Sequence, residues 1–337
     1  VGSEMCIRDR FEGVTKEVND EIRGQGHFDL AINACKLVKK AGLPLAISIT
    51  VNAINKNQCN KFPDFAASVN ADALALQVIE PRGRAIKYWN EIGLSTIEGL
   101  ESILYVFDRY STIYIDVPGP PLYREFLNTF FNANIPIKDK SCKGGVESFI
   151  VTSGGDLAPC PVYAYELNLP TYSITSSNVD IDKILREYRE FNTWIKEKAL
   201  NIETCKNCKY RGKCTPCPVP NRKKVIECEW IREKWLQLTD AIVNSRVDLK
   251  VPYKKLTSGK LYFEVETQPK PLIINLNEKL FEKIIKCKSV HDIISAGLPF
   301  SKWNLIKFLC KLRSHGILEI SDFWRPFSTP SHHSDNF

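Results

Sequence analysis

The sequence predicts an α/β chain built on a parallel sheet, and three observations carry that expectation. Short apolar runs rich in β-branched residues, LAISITVN, ALALQVI and TIYIDV, have the length of buried strands. Amphipathic stretches with helical spacing stand between them. The alternation recurs at intervals of roughly 30 to 40 residues, the βα rhythm of a parallel sheet or barrel with helices outside. Three strands are too few to close a barrel, so the expected architecture is a partial (β/α) TIM-like barrel lacking its first strands.

Taken in order, FEGVTKEVNDEIRG (Phe11–Gly24) reads as a loop with no strand before it. Phe28 to Lys40 reads as a helix, with Phe28, Ala31, Ile32, Cys35 and Val38 on one face and Gly42 and Pro44 as stop signals. A strand follows at Leu45–Asn52. Gln58–Val69 reads as a helix that Pro63 shortens. The next strand is Ala73–Ile79. Ser95 and Glu98 form a capping-box signature ahead of a helix running to Tyr110. The third strand is Thr112–Val117, and Pro118, Pro120 and Pro121 break the chain before a helix at Leu122–Asn132.

After Pro136 the character changes. SFIVTSGGDLAPC reads as a hairpin turning at Gly154-Gly155. Two helices, Ile181–Ala199 and Cys228–Ile242, flank a cysteine-rich loop. From about Val251, short strands (KLYFEVE, PLIINL), three helical stretches and a closing strand (ILEIS) suggest a small winged-helix-like module. The expected organisation is residues 11–135 as the barrel part, 136–245 as the cysteine-rich domain, 251–322 as the winged-helix-like module and 323–337 as a disordered tail. His332 and His333 belong to that tail.

The chain of 337 residues is 44% hydrophobic and 25% charged, the composition of an ordinary globular protein of two or three domains. Its net charge of +7 is mild, and its densest basic run, Arg222-Lys223-Lys224, is short enough to be a solvated loop. No apolar run approaches the ~18 residues of a membrane span, and no signal peptide is evident. The chain is therefore expected in the cytoplasm. P-loop, HExxH and GxSxG motifs are absent, and the five histidines show no ligand spacing. The opening VGSEMCIRDR reads as translated sequencing adapter (residues 1–10), with native sequence from about Phe11. The sole methionine, Met5, lies within it, and Cys6 is set aside as a ligand.

Twelve cysteines are many for such a chain, and seven fall between Cys142 and Cys228. In a reducing compartment that clustering points to metal rather than disulfides. Cys35, Cys287 and Cys310 sit in helical apolar patterns and read as core residues, while Cys59 could be core or surface. Cys205, Cys208, Cys214 and Cys217 would satisfy one tetrahedral zinc. That leaves Cys142, Cys160 and Cys228 unused, and seven thiols match two iron–sulfur clusters better, commonly held by four thiolates each.

CKGGVESFIVTSGGDLAPC, from Cys142 to Cys160, resembles the opening of a SPASM domain, the auxiliary-cluster extension of radical S-adenosylmethionine (radical SAM) enzymes. CKNCKYRGKC with the cysteine after it resembles the second half. The stretch from Phe11 to Val51 and the later QVIEPRGRA are similar to parts of the radical SAM partial barrel, so the resemblance runs roughly from Phe11 to Ile242. It implies that Cys142, Cys160 and Cys217 hold an inner auxiliary 4Fe–4S cluster and that Cys205, Cys208, Cys214 and Cys228 hold an outer one. Some relatives have a further cysteine soon after the first, and here Lys143 to Phe149 has none. The family commonly has three residues between the third and fourth loop cysteines, and this chain has two.

The resemblance also implies S-adenosylmethionine, with Gln77, Ile79 and Arg84 beside it, and a third 4Fe–4S cluster on a Cys-x-x-x-Cys-x-x-Cys motif. This chain has no such motif, so roughly 90 residues, at ~30 per βα unit, are expected to be missing and the chain by itself to be inactive. The implied chemistry is reductive cleavage of SAM to a 5′-deoxyadenosyl radical that abstracts hydrogen from a peptide or protein. An external electron donor such as flavodoxin or ferredoxin would supply the electron. PLIINLNEKLFEKIIKCKSVHDII and FLCKLRSHGIL resemble small winged-helix proteins that bind leader peptides, although a plain winged helix fits equally. The competing reading is a non-catalytic iron–sulfur or zinc protein that binds a peptide or DNA through this module, for which Lys302, Lys307, Lys311 and Arg313 are the candidate basic residues.

Overall fold

The computed structural model describes residues 7–108, 111–165, 167, 169–175, 180–217, 225–265, 271–287, 289–297, 299–324 and 327. Met5, Cys6, the Arg222–Lys224 run and His332-His333 lie outside them. The chain divides into two compact units, one of residues 1–119, 123–136 and 230–337, the other of residues 120–122 and 137–229.

The first unit opens on β1 (Ile7–Phe11), followed by α1 (Lys16–Arg23) and α2 (His27–Lys40). Both β1 and α1 correct the expectation of a loop without a preceding strand. The helix is too polar to show an apolar stripe, and it is held by hydrogen bonds rather than by a hydrophobic face. The strand β2 (Leu45–Val51) leads through a 3₁₀ turn at Lys56–Lys61 to α3 (Phe62–Ser68). The single helix expected from Gln58 is thus split, because Pro63 suits the first turn of a helix and not its interior.

Next come β3 (Ala73–Val78), a second 3₁₀ turn (Gly83–Tyr88), α4 (Trp89–Ile92) and α5 (Thr96–Leu104). The capping box at α5 is present, with Ser95 Oγ accepting from Glu98 N and the Glu98 carboxylate accepting from Ser95 N. The helix stops short of the expected end and tightens into a 3₁₀ turn at Tyr105–Phe107. β4 (Tyr114–Asp116) precedes α6 (Pro121–Phe130). Pro121 opens that helix rather than breaking it, since its missing N–H is not needed there.

The four strands form one parallel sheet in the order β1-β2-β3-β4. Successive side chains face opposite sides, so the register defines two faces. Phe11, Ile47, Ile49, Leu74 and Leu76 share the apolar face and are buried. Phe11 meets Phe28 and Phe65 with ring centroids 5.9 and 5.0 Å away. The opposite face carries small or polar residues: Ala46, Ser48 and Thr50 on β2, Ala73, Ala75 and Gln77 on β3, and Tyr114 and Asp116 on β4. β2 is buried along almost its whole length, as strands of covered parallel sheets are.

The second unit carries the expected hairpin, β5 (Ile150–Val151) against β6 (Asp156–Ala158), turning at Gly155 with φ of 85°. After α7 (Pro161–Tyr165), a third strand, β7 (Tyr172–Ser173), adds to β6. Two residues are too few to show a period, so the sequence did not reveal it. The long α8 (Ile181–Leu200) is N-capped by Asp180. Its Ile184 and Tyr188 pack with Ala158 and Tyr163 as the core.

α9 (Ile226–Asn244) leads back into the first unit, where Trp230 and Ile231 are buried. Then follow β8 (Val247–Leu249), β9 (Tyr253–Lys255), β10 (Leu261–Phe263), β11 (Leu272–Ile274), α10 (Glu278–Lys286), α11 (Val290–Ser295), α12 (Lys302–Ser314) and β12 (Leu318–Ile320). β9, β10 and β11 form an antiparallel sheet, and β8 pairs with β12. β8 and β9 were not expected, being three residues each. Asn277, Ser289 and Ser301 cap the three helices through side-chain oxygens. Cys310 is buried as expected, whereas Cys287 stands past the end of α10 and is only half-buried.

Asp108 ties this C-terminal region to the rest of its unit. Its Oδ1 accepts from Arg313 at 2.5 Å and from Trp324 Nε1 at 3.1 Å, and the Arg313 guanidinium lies 3.6 Å from the Phe323 ring centroid. Trp324 stacks on Tyr105 at 4.8 Å. Two sequence expectations change as a result. Phe323 and Trp324, assigned to the tail, are packed aromatics. Arg313, one of the candidate nucleic-acid contacts, is engaged inside the protein. Among the described residues no helix is long and apolar enough to cross a membrane.

His315 is buried, and burial, with Lys311 nearby, pushes its imidazole down to about 4. The unfolded chain takes up this proton near pH 6.5, so stability from this group is complete above that pH and is lost as pH falls toward 4. The His315→Gln variant should therefore lose less stability than the wild type between pH 6.5 and 4, by up to about 3 kcal/mol, as measured by urea denaturation at each pH.

Candidate functional site

Each unit carries one concentration of chemistry-bearing residues. In the first it lies at the C-terminal ends of the parallel strands, where α/β folds place their sites. Register pairs Thr50 with Gln77, and Glu12, one residue past β1, continues that row beside Thr50. Gln77 is exposed at the end of β3. Ile79, just beyond, is half-buried and donates its N–H to Val51 O at 2.9 Å. Arg84 is exposed in the 3₁₀ turn that follows. The structure thus brings Gln77 and Ile79 to one strand end, with Arg84 on the connection leaving it.

Glu12 is the residue that sequence reasoning missed. Its N–H donates to Asn19 Oδ1 at 3.0 Å, its carbonyl accepts from Asn55 Nδ2 at 2.9 Å, and its Oε1 accepts from Arg23 at 2.7 Å. Oε2 is buried with no hydrogen-bond partner. Burial raises the carboxyl above its usual range, and Arg23 opposes the shift. Asn19, wholly buried, also contacts Asp20 and His27, and Asp20 accepts the Gly26 and Phe28 amides at 2.8 Å. Gly13 permits this turn, because an added Cβ would stand 2.6 Å from Val18 Cγ1. The only sequence signal was five carboxylate or carboxamide side chains, Glu12, Glu17, Asn19, Asp20 and Glu21, crowded into a presumed loop.

The second unit holds the seven cysteines, and all of them are free thiols. Asn192, on the buried face of α8, donates to Cys142 O and Gly144 O, both at 2.9 Å. Gly145 then passes so close to the helix that a Cβ would lie 2.3 Å from Tyr188 O, and its φ is 79°. Cys160 precedes α7, and its sulfur accepts the Tyr163 N–H at 3.4 Å. Burial, then the charges of Cys142 and Cys217, raise the Cys160 thiol, and backbone amides oppose them.

The loop of Cys205, Cys208 and Cys214 folds as successive tight turns, with Cys208 N to Cys205 O at 3.1 Å and Cys214 N to Tyr210 O at 2.9 Å. Burial pushes Cys214 up to about 11, with Cys205 and Cys208 adding to it. Burial likewise pushes Cys228, on the first turn of α9, up to about 12, with Glu227, Cys214, Cys205 and Cys208 contributing. Cys160 therefore lies within electrostatic reach of Cys142 and Cys217, Cys214 within reach of Cys205 and Cys208, and Cys228 within reach of Cys205, Cys208 and Cys214.

Among the described residues, no three His, Cys, Asp or Glu side chains converge as they do around a single metal ion. A four-iron cluster binds each thiolate to a different iron, so its ligands stand further apart than zinc ligands. A free thiolate crowded by others is disfavoured, whereas a bound metal deprotonates its thiols outright, so the donor set fits such a group. Cys35, Cys59 and Cys310 serve packing: burial pushes Cys35 to about 11 and both Cys59 and Cys310 to about 12.

Fold and site together define a cysteine-rich α/β protein. No family model matches the chain. It is 35% identical over 83 residues to the mycofactocin maturase MftC of Mycolicibacterium smegmatis, which covers 24% of this chain and 21% of that protein. It is 24% identical over 221 residues to the AdoMet-dependent heme synthase of Methanosarcina barkeri, covering 61% and 60%. A solved structure of native anSMEcpe with bound AdoMet aligns with a TM-score of 0.45 and 17% identity over 70% of this chain and 66% of that one, a likeness too low to carry weight. The chain is thus similar in sequence to a maturase and to an AdoMet-dependent heme synthase. It spans between about a fifth and three fifths of the length of these two relatives.

The Glu12–Arg23 pair gives a direct test. Arg23→Ala leaves a buried carboxylate uncompensated and should cost about 3 kcal/mol. Glu12→Gln combined with Arg23→Ala should recover much of that loss in thermal denaturation, because the charge itself is gone.

Proposed function

We propose that the whole protein is a radical SAM enzyme acting on a peptide or protein, and that this chain supplies the ligands of two auxiliary 4Fe–4S clusters. The grouping of the seven thiols carries the reading. Cys160 feels Cys142 and Cys217, while Cys214 and Cys228 feel Cys205 and Cys208. That is the three-plus-four division the SPASM resemblance implies. The maturase among the relatives favours a peptide substrate.

SAM, when bound and reductively cleaved, supplies a radical that removes hydrogen from the substrate. The part of this chain is to shape the site around it. Gln77, Ile79 and Arg84 stand at the C-terminal end of β3 as the SAM-side residues, and the small side chains of Ala46, Ser48, Ala73 and Ala75 leave room over that face of the sheet. Asn192 and the Gly145 crossing hold the Cys142 loop against α8. The third cluster belongs to a Cys-x-x-x-Cys-x-x-Cys motif, which this chain does not contain, so SAM cleavage is a property to assay on the full-length protein. The C-terminal region, with its capped helices and two small sheets, is read as a winged-helix-like module.

Anaerobic reconstitution followed by iron and sulfide analysis tests the cluster assignment. About eight irons per chain with matching sulfide are expected for two four-iron clusters, and a single zinc would overturn the reading. Cys208→Ala should lose about four irons, and unchanged iron content would remove Cys208 from the ligand set.

A further inference from the structure

We propose that Tyr114 and Asp116, on β4, form a binding site for a cationic side chain, lysine or arginine, of the substrate, an inference that rests on the peptide substrate proposed above. Among the described residues β4 pairs with β3 alone and forms one edge of the parallel sheet. Its register with Ala73 and Ala75 puts Tyr114 and Asp116 on the polar face, which carries Gln77 at the strand end. Ile115, between them, is buried on the apolar face beside Leu74. Side chains two residues apart on one strand face stand about 7 Å apart, so the phenol ring and the carboxylate flank a single side-chain position. The β3 residues beside them are alanines, too small to fill it.

Asp116 is held in place from behind. Its Oδ1 accepts from Arg124 Nη2 at 2.8 Å. Arg124 is almost wholly buried, and its guanidinium also donates to Val117 O at 2.7 Å and to Pro136 O at 3.2 Å. A buried guanidinium needs a counter-charge, and that need accounts for Oδ1. It does not account for Oδ2: the Asp116 side chain is 46% exposed, and Oδ2 accepts no hydrogen bond among the described residues. Arg124 thus fixes the carboxylate and leaves one oxygen aimed at the open face. The other charged residue of that row, Arg10, is three strands away, about 14 Å at ordinary strand spacing, too far to pair with Oδ2.

An aromatic ring and a carboxylate side by side select a cation. A lysine or arginine group within about 6 Å of a tyrosine ring is attracted to its face, and the same group gives a carboxylate a charge-assisted hydrogen bond, roughly twice as strong as a neutral one. Tyr114 is 41% exposed, and its ring stacks on none of the described residues. An anionic group is repelled by Oδ2. An apolar side chain suits the ring but strips water from Oδ2 without replacing its hydrogen bond, which is costly. Asp116 pairs with Ala75, two residues short of Gln77, so a peptide anchored there by a basic side chain lies beside the strand end.

The test uses the full-length protein and three fluorescein-labelled decapeptides that differ only in a central lysine, norleucine or glutamate, with affinity read by fluorescence anisotropy. The lysine peptide should bind about tenfold more tightly than the norleucine peptide, and the glutamate peptide should bind most weakly. Asp116→Asn keeps an oxygen for Arg124 and should bring the lysine and norleucine affinities together. Tyr114→Ala, which does not touch Arg124, should weaken lysine binding about threefold, and it serves if Asp116→Asn lowers the thermal midpoint. A wild type that binds none of the peptides, or shows no preference for lysine, overturns the proposal. So does an undiminished lysine preference in either folded variant. SAM cleavage, assayed on the same samples, keeps the two readings apart. Cleavage without a lysine preference overturns the site alone. A lysine preference without cleavage overturns the enzyme reading and leaves the site as a peptide-binding one.

Discussion

The hydrogen bonds that fix Glu12 are the constraint on which the strand-end site depends. Asn19, Asn55 and Arg23 hold its N–H, carbonyl and one carboxylate oxygen from two segments, α1 and the turn after β2. Burying a carboxylate is costly, and it persists only where partners offset the desolvation. Here they do so on one oxygen and leave the other unmet. The same bonds fold α1 back under the end of β1 and so set where β1 stops. The row Glu12–Thr50–Gln77 follows from that stop and from strict parallel register. A slip of one residue would turn these polar side chains to the apolar face and bring Phe11 and Ile49 out of it.

The cysteine unit solves a different problem. Loops rich in thiols and lysines bury little apolar surface, so their shape must come from elsewhere. α8 provides it. Tyr188 is the centre of the unit's core, and Asn192, one turn on, grips the Cys142 loop through two carbonyls. Gly145 lets that loop lie directly against the helix backbone. Residues without metal-ligand character thereby fix where the Cys142 loop runs.

Much of this was legible in the sequence because its signals are local. Apolar runs announced β2, β3 and β4, helical spacing announced α2 and α8, and Ser95 with Glu98 announced the start of α5. Misses share a physical cause. α1 is stabilised by a buried polar network, and β7, β8 and β9 are too short to show alternation. Pro63 and Pro121 open helices they were expected to shorten or precede, because a proline marks a boundary without saying on which side the helix lies.

The sequence by itself determined the longer apolar strands and amphipathic helices, the set of seven clustered cysteines and the family resemblance, since periodicity, composition and spacing are properties of neighbours along the chain. Only the tertiary structure decided that Glu12 joins Gln77 at one strand end, that Arg313 is sequestered by Asp108, Phe323 and Trp324, and that Lys140 lies beside Lys213. The pairings of Glu12 with Gln77, of Lys140 with Lys213 and of Asp108 with Arg313 span from about 65 to about 205 residues. Each is chosen by register, burial and the partnering of charge, which no local pattern encodes.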